Sequence, residues 1–363
     1  MKKSIYILLA VTFLIISETN HCCAQVLKIT KEHLEGAANL LDFALRHRKN
    51  NMDTMYVQRP NEAWTMKVNY NQKSTYFKTS EMAQDIPYHY FIENTPNSSI
   101  SASVNYRGIA LSLSISPKKL FGKSTDTEFN FNYYNNKFGA DITYSNMNHF
   151  HSTIKIPSIS TAKIESGPLG ETHFKGYSVN AYYVFNNKKF SYPAAFSHSW
   201  IQKKSSGSFI AGMALYSATL DFDLGVINAK VEDYIEYSPK KTEANYVAVN
   251  FGYAYNFIPN KHWLVHVSVA PGLMLWKDYS TDVYKLNSSP TSNTSDYTFS
   301  HTHTWPKRFF DIAGIARIGI TYSWKKYFIG ANYVAQLDYI GDSDIATILN
   351  NHWKFRSYFG FRL

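Results

Sequence analysis

The chain has almost no cysteine. Only Cys22 and Cys23 occur in 363 residues, and both close an N-terminal leader. Lys2 and Lys3 open that leader, Ile5 to Ile16 forms its apolar stretch, and Cys22-Cys23-Ala24 puts small residues before a cut after Ala24. Removal of residues 1–24 as a signal peptide takes both thiols with it. That excludes disulfides and cysteine-based metal sites from the mature chain. Long apolar runs are missing too. The leader's stretch is shorter than the roughly 20 residues a spanning helix needs, and no longer run follows. With a mean hydropathy of −0.30, a helical membrane protein is excluded. There is no phosphate-cradling glycine loop, no nucleotide fingerprint and no Gly-x-Ser-x-Gly elbow; Gly207-Ser208 follows a basic turn instead. Nor does any Pro- or Gly-rich linker, charge block or low-complexity run divide the chain, so residues 63–363 read as one domain.

What the sequence does hold is aromatic and alternating. It contains 28 Tyr and 24 Phe, and aromatics make up 16% of the residues. In the last twelve residues, Trp353, Phe355, Phe359, Phe361 and Leu363 share one parity, while Lys354, Arg356, Tyr358, Gly360 and Arg362 share the other. Successive side chains of a strand point to opposite faces, so this segment has one greasy and one cationic side. The same alternation runs through Ile109 to Ile115, Phe129 to Tyr133, Phe138 to Tyr144, Val247 to Phe257, Trp263 to Val269 and Ile312 to Ile320. A long series of such strands after a secretory leader predicts an antiparallel transmembrane β-barrel in an outer membrane, with lipid-facing aromatic girdles.

Loop lengths set the count. Outer-membrane barrels join strands by short periplasmic turns and long outer loops. Counting back from the C-terminus, the long loops are 339–351, 277–308, 222–242, 147–172 and 117–126. The tight turns are 324–325, 258–260, near Asn136 and near Arg107. Twelve strands result, at 64–79, 99–106, 108–116, 127–135, 137–146, 173–185, 208–221, 244–257, 262–276, 309–323, 326–338 and 352–363. The connection from Asn186 to Ser206 is oddly long for a periplasmic turn. If Ala194 to Gln202 is a further strand, the count becomes fourteen. Residues 25–62 precede the barrel as a periplasmic segment. Within them Leu34, Ala37, Ala38, Leu41, Ala44 and Leu45 predict a helix over 31–48.

The odd connection is also the most recognisable segment. Phe190-Ser191-Tyr192-Pro193-Ala194-Ala195-Phe196, followed by Gln202-Lys203-Lys204-Ser205-Ser206-Gly207-Ser208, resembles an uncharacterised family of bacterial outer-membrane barrels labelled only as a domain of unknown function. The leader, the length and the Tyr106-Arg107-Gly108-Ile109 hairpin are similar as well. The resemblance implies a barrel and an outer-membrane address. It implies no activity and no catalytic residue.

Charge suggests the function. The chain carries +10 overall, or +9 without Lys2, Lys3 and Glu18 of the leader, a balance that suits anionic lipids, lipopolysaccharide, acidic glycans or small anionic solutes. The basic residues are dispersed and the chain is exported, which argues against nucleic acid. Parity turns Lys67, Asp141, Asp311, Arg317, Asp338, Lys354, Arg356 and Arg362 inward. A two-residue turn at Trp324-Lys325 sets Asp311 directly opposite Asp338, with Lys354 and Arg356 beside the acid pair. Directly opposed like charges destabilise a sheet, so Asp311, Asp338, Arg317, Lys354, Arg356 and Arg362 are read as one lumen charge cluster. The plainer account is a salt-bridge network that fills the barrel. The acid pair could also hold a divalent cation or do acid–base work.

His301 and His303 share a parity but lie in a Ser/Thr/Asn-rich loop without a third ligand. His262 and His266 are roughly 13 Å apart along one strand. No cofactor or metal is therefore expected. A narrow channel or binding barrel for small polar or anionic solutes follows. The alternatives are a lipid-modifying enzyme whose Ser, His and acid come from separate strands, and a surface-interaction protein working through its outer loops. The C-terminal strand is the part that barrel-assembly machinery would engage.

Overall fold

The computed structural model describes residues 52–363, apart from 84–85, 95–96, 107–108, 117–126, 149, 156–162, 169–171, 222–236, 288–295, 305–310 and 343–345. The leader, the predicted helix over 31–48 and the rest of the N-terminal segment up to residue 51 lie outside the described residues.

Twelve strands form the wall. They are β1 (Trp64–Ala83), β2 (Asn97–Tyr106), β3 (Ile109–Ile115), β4 (Thr127–Tyr134), β5 (Phe138–Met147) and β6 (His173–Val184), then β7 (Ser206–Asp221), β8 (Tyr237–Asn260), β9 (Trp263–Asn287), β10 (Ile312–Trp324), β11 (Tyr327–Asp342) and β12 (Ala346–Arg362). Each pairs antiparallel with the next, and β12 closes the ring on β1 with Phe361 opposite Met66 and Ala346 opposite Glu81. Closure leaves no free edge along the ring, so the wall's strands satisfy one another's backbone groups around the whole circumference.

Side-chain alternation sorts the two faces as the sequence predicts. Val68, Ile100, Tyr177, Phe209, Phe251, Val267, Ile318 and Phe359 stand on the outside, each at least 44% exposed. Asn69, Asn71, Ser101, Ser103, Asn256, Ser268 and Thr321 are buried within. This is a transmembrane β-barrel with a polar interior.

The strands run further than their apolar pattern. β8, β9, β11 and β12 continue into segments predicted as long loops. A strand at Ile86–Asn94 pairs with the far end of β1, and Asp296–Thr304 pairs with the far end of β9. Greasy alternation stops where hydrocarbon stops, whereas the backbone ladder needs no apolar side chain and carries on beyond it.

Two registers differ from the prediction. The β10–β11 turn is Lys325-Lys326, with Trp324 facing Tyr327. The β8–β9 turn is Lys261-His262, with Asn260 facing Trp263. Moving the first turn by one residue changes every pairing along that hairpin. A bulge at Leu275 shifts parity within β9, so that Met274 and Lys277 both point inward.

The connection from β6 to β7 is neither a loose loop nor a further strand. After a turn at 185–189, the chain enters the barrel. There it forms a short helix α1 (Tyr192–Phe196) with Pro193 at its start, where proline costs no helical hydrogen bond. It leaves by pairing Ile201–Gln202 with Val57–Gln58. Phe190, Tyr192, Ala195, His198 and Trp200 are almost completely buried. The segment plugs the end of the barrel that carries the short turns.

Candidate functional site

The plug and the wall fit each other in composition. Phe190 and Tyr192 pack against Val184, Ile210, Ala254 and Ala270, all inward-facing. Ala194, Ala195 and Trp200 pack against Val57 and Leu264 on the other side. Alanines at 254 and 270 leave room inside the ring, and the plug's aromatics fill it.

Polar groups fasten it. The Asn256 amide donates to the Ser191 carbonyl at 2.8 Å, and His266 contacts Asn256 Oδ1 and Ser268 Oγ through its two ring nitrogens at 2.7 and 3.1 Å. Lys67 donates to the Phe196 carbonyl at 2.9 Å, Arg362 to the His198 carbonyl at 3.2 Å, and Arg317 to Tyr192 Oη at 2.6 Å. The plug is thereby held by three cations from three strands, β1, β12 and β10, and Lys67 among them meets the carbonyl that ends the helix. The last carbonyls of a helix carry partial negative charge and favour cations.

Within the plug, His198 is sandwiched against Phe328 and Tyr358, with ring centroids 4.3 and 4.9 Å away. Burial, reinforced by the positive charges of Lys67 and Arg362, holds its imidazole well below the ordinary histidine range; the Ala194 carbonyl partly offsets this.

The six residues predicted to form one charge cluster are placed in separate layers. Arg362 lies lowest, against the plug and over the Phe328 ring. Arg317 bridges Tyr192 to Asp141, 3.3 Å away. Arg356 donates to Asn71 Oδ1 at 2.9 Å. Lys354 joins Lys73 on Glu128.

Asp311 and Asp338 do not face each other. Asp338 lies opposite Ala313 and accepts from Asn350 at 3.1 Å, whereas Asp311 is ion-paired with Lys277. The acid pair, and with it the cation-site and acid–base readings, rested on a turn set one residue off. Lys354 and Arg356 accordingly serve Glu128 and Asn71, not Asp311 or Asp338.

Three functional residues escaped the prediction. Glu128 and Lys73 have the inward parity of Asn130 and Lys67, so the signal was present. Lys277 is turned inward only by the bulge, which alternation does not reveal.

Above the plug lies a cavity with about 180 Å³ of space open to water. That is many times the room one water needs, and enough for a small solute. Tyr192, Phe196 and Ser197 form its floor. Its charged lining comprises Lys67, Arg317, Lys354 and Arg356 against Glu128 and Asp141. Asn105, Asn130, Asn132, Thr143, Ser178 and Asn332 supply neutral polar groups. Lys354 shares Glu128 and Arg317 shares Asp141. Among the described residues, Lys67 and Arg356 have neutral oxygen partners, a backbone carbonyl and an amide. The lining therefore has a cationic surplus held by dipoles, an arrangement that accepts an anion. His266 does not line this cavity; it is fully buried, with an asparagine and a serine as hydrogen-bond partners.

Fold and lumen together define a plugged transmembrane β-barrel. The chain belongs to the family described as Domain of unknown function (DUF4421), whose model matches residues 51–363. No curated protein matches it. Among solved structures it is similar to the outer membrane protease OmpT from Escherichia coli, at 8% identity and a TM-score of 0.41, over 84% of this chain and 97% of that one. It is also similar to the outer membrane protein OprG from Pseudomonas aeruginosa, at 8% identity and a TM-score of 0.30, over 83% and 97% of the two chains. The toluene transporter TodX from P. putida matches at 7% identity and a TM-score of 0.28, over 84% and 91%. At these scores the likeness carries no activity to this chain.

Proposed function

We propose that the protein sits in an outer membrane and acts as a binding barrel for small anionic solutes, admitted from the long-loop end and held above the plug. One observation carries this reading. Lys67 and Arg356 line a floored polar cavity, and neither is paired with a carboxylate among the described residues. Burying a cation without an anion is costly, and a solute carboxylate or phosphate would supply the missing charge. Arg356 offers a planar fork suited to either. The plug, fastened by buried hydrogen bonds, favours binding or gated passage over an open pore. No Ser–His–carboxylate constellation occurs among the described residues, so the geometry favours binding over lipid hydrolysis.

Calorimetry of the purified barrel with a panel of small dicarboxylates and phosphate esters tests the reading. At least one should bind, and Arg356→Met should weaken it at least tenfold while the barrel stays folded. A panel without any binder, or binding indifferent to both Arg356→Met and Lys67→Met, would overturn it.

A further inference from the structure

The short-turn end of the barrel is strongly basic, with Asp53 and Glu62 as the described acidic side chains near it. Lys137, Lys261, Lys325 and Lys326 occupy its wall turns and are all exposed. Lys188, Lys189, Lys203 and Lys204 are exposed on the plug's entry and exit. No carboxylate pairs with any of these eight among the described residues. The opposite end is mixed. There Lys241 pairs with Glu243 at 2.5 Å, and Asp282 accepts from Thr302.

Depth points to the partner. Three of the four wall-turn lysines lie beside an aromatic on the outer face, in space or in sequence. Lys137 sits over the Tyr183 ring at 5.7 Å, and Tyr183 is 39% exposed. Lys261 precedes Trp263, also 39% exposed. Lys326 sits over Tyr327, whose ring stacks on the exposed Phe359. Aromatic girdles mark the membrane interface, so the ammonium groups just beyond them stand at headgroup level. A soluble acidic macromolecule would not require that depth.

Two further observations agree. Lys325 adopts a φ of 51°, a conformation that glycine or asparagine takes more easily, yet a lysine occupies it. Lys189 and Lys204 both approach the Tyr56 ring, at 5.1 and 5.6 Å. Two exposed ammonium groups gathered at one ring attract an anion more strongly than either does alone.

We infer that the short-turn end is a collar for anionic phospholipid headgroups, which anchors this barrel end in the leaflet it faces. The phosphodiester is the recognised group. The wall-turn lysines bind it at the rim, and Lys189 and Lys204 bind it beside the plug. The collar is independent of what the lumen holds. Each basic residue near an anionic membrane surface adds to the attraction, which falls away within a Debye length.

The full chain reconstituted in nanodiscs of phosphatidylcholine with a minor fraction of phosphatidylglycerol provides the test, with native mass spectrometry reading the retained lipid. Phosphatidylglycerol should be retained several-fold above its bulk ratio. K137Q/K261Q/K325Q/K326Q should abolish most of that excess, and the same four positions as Arg should keep it. Retention of the heat-modifiable band on gels shows that each variant is folded. Retention at the bulk ratio, or an excess unchanged in the Gln variant, would overturn the collar. So would displacement of the lipid by free glycerol 3-phosphate at low concentration, which would indicate a soluble-anion site.

Discussion

His198 combines two uncommon properties. Its φ is 57°, in the region non-glycine residues rarely visit, and its imidazole is enclosed by Phe328, Tyr358, Lys67 and Arg362. The direction of its shift sets the sign of a pH effect. Its pKa in the folded protein lies below the ordinary value of about 6.5. The plug is therefore fully docked above that value and loses stability as pH falls below it, because only the undocked imidazole takes up a proton readily. Asparagine tolerates the same backbone and does not titrate. Trypsin cleavage after Lys203 should accelerate as pH drops below about 6.5 in the native protein and stay flat in His198→Asn. Equal pH profiles for the two would show that His198 does not set the plug's stability. At this scale the sequence was legible wherever parity sufficed, as for Arg317 and Arg356. It misled wherever a charge's partner depended on register, as for Asp311.

The plug is the element on which the proposed function turns. Its helix has only five residues, too few to persist alone in water. It exists because the ring supplies both an apolar seat and polar anchors. Replacing residues 190–200 by a short Gly/Ser linker should raise single-channel conductance several-fold in planar bilayers. Unchanged conductance would mean that the barrel is obstructed elsewhere. Milder damage should act in the same direction. Phe190→Ala removes a fully buried ring and should weaken docking by about 3–5 kcal/mol, read as faster trypsin cleavage at Lys189. The sequence singled this segment out as the misfit of the strand count and as its most recognisable motif. It did not show the segment turning inward, because Ala254 and Ala270 read equally well as filler in an empty lumen.

On the scale of the whole barrel, closure is reinforced from inside. Glu128 of β4 receives Lys73 of β1 and Lys354 of β12, so one carboxylate reaches across to both strands of the seam. Breaking a buried pair by removing one partner typically costs about 3–5 kcal/mol, because an uncompensated charge remains. Glu128→Gln leaves two such lysines. The transition to the unfolded band in urea should shift by about that amount, and Lys354→Met added to it should restore part of the loss. An unshifted transition would show the network to be solvent-screened and the seam to rest on backbone pairing alone.

The sequence by itself determined the all-β class, the two-faced strands, an even ring of twelve or fourteen and the identity of most inward charges. Period-two alternation is a local property, and a membrane exterior enforces it residue by residue. Only the tertiary structure decided which charges meet, that the long connection enters the lumen, and that the cavity has a floor. Those outcomes depend on one-residue choices of turn, on a bulge at Leu275, and on complementarity between segments far apart in the chain. No local pattern records them.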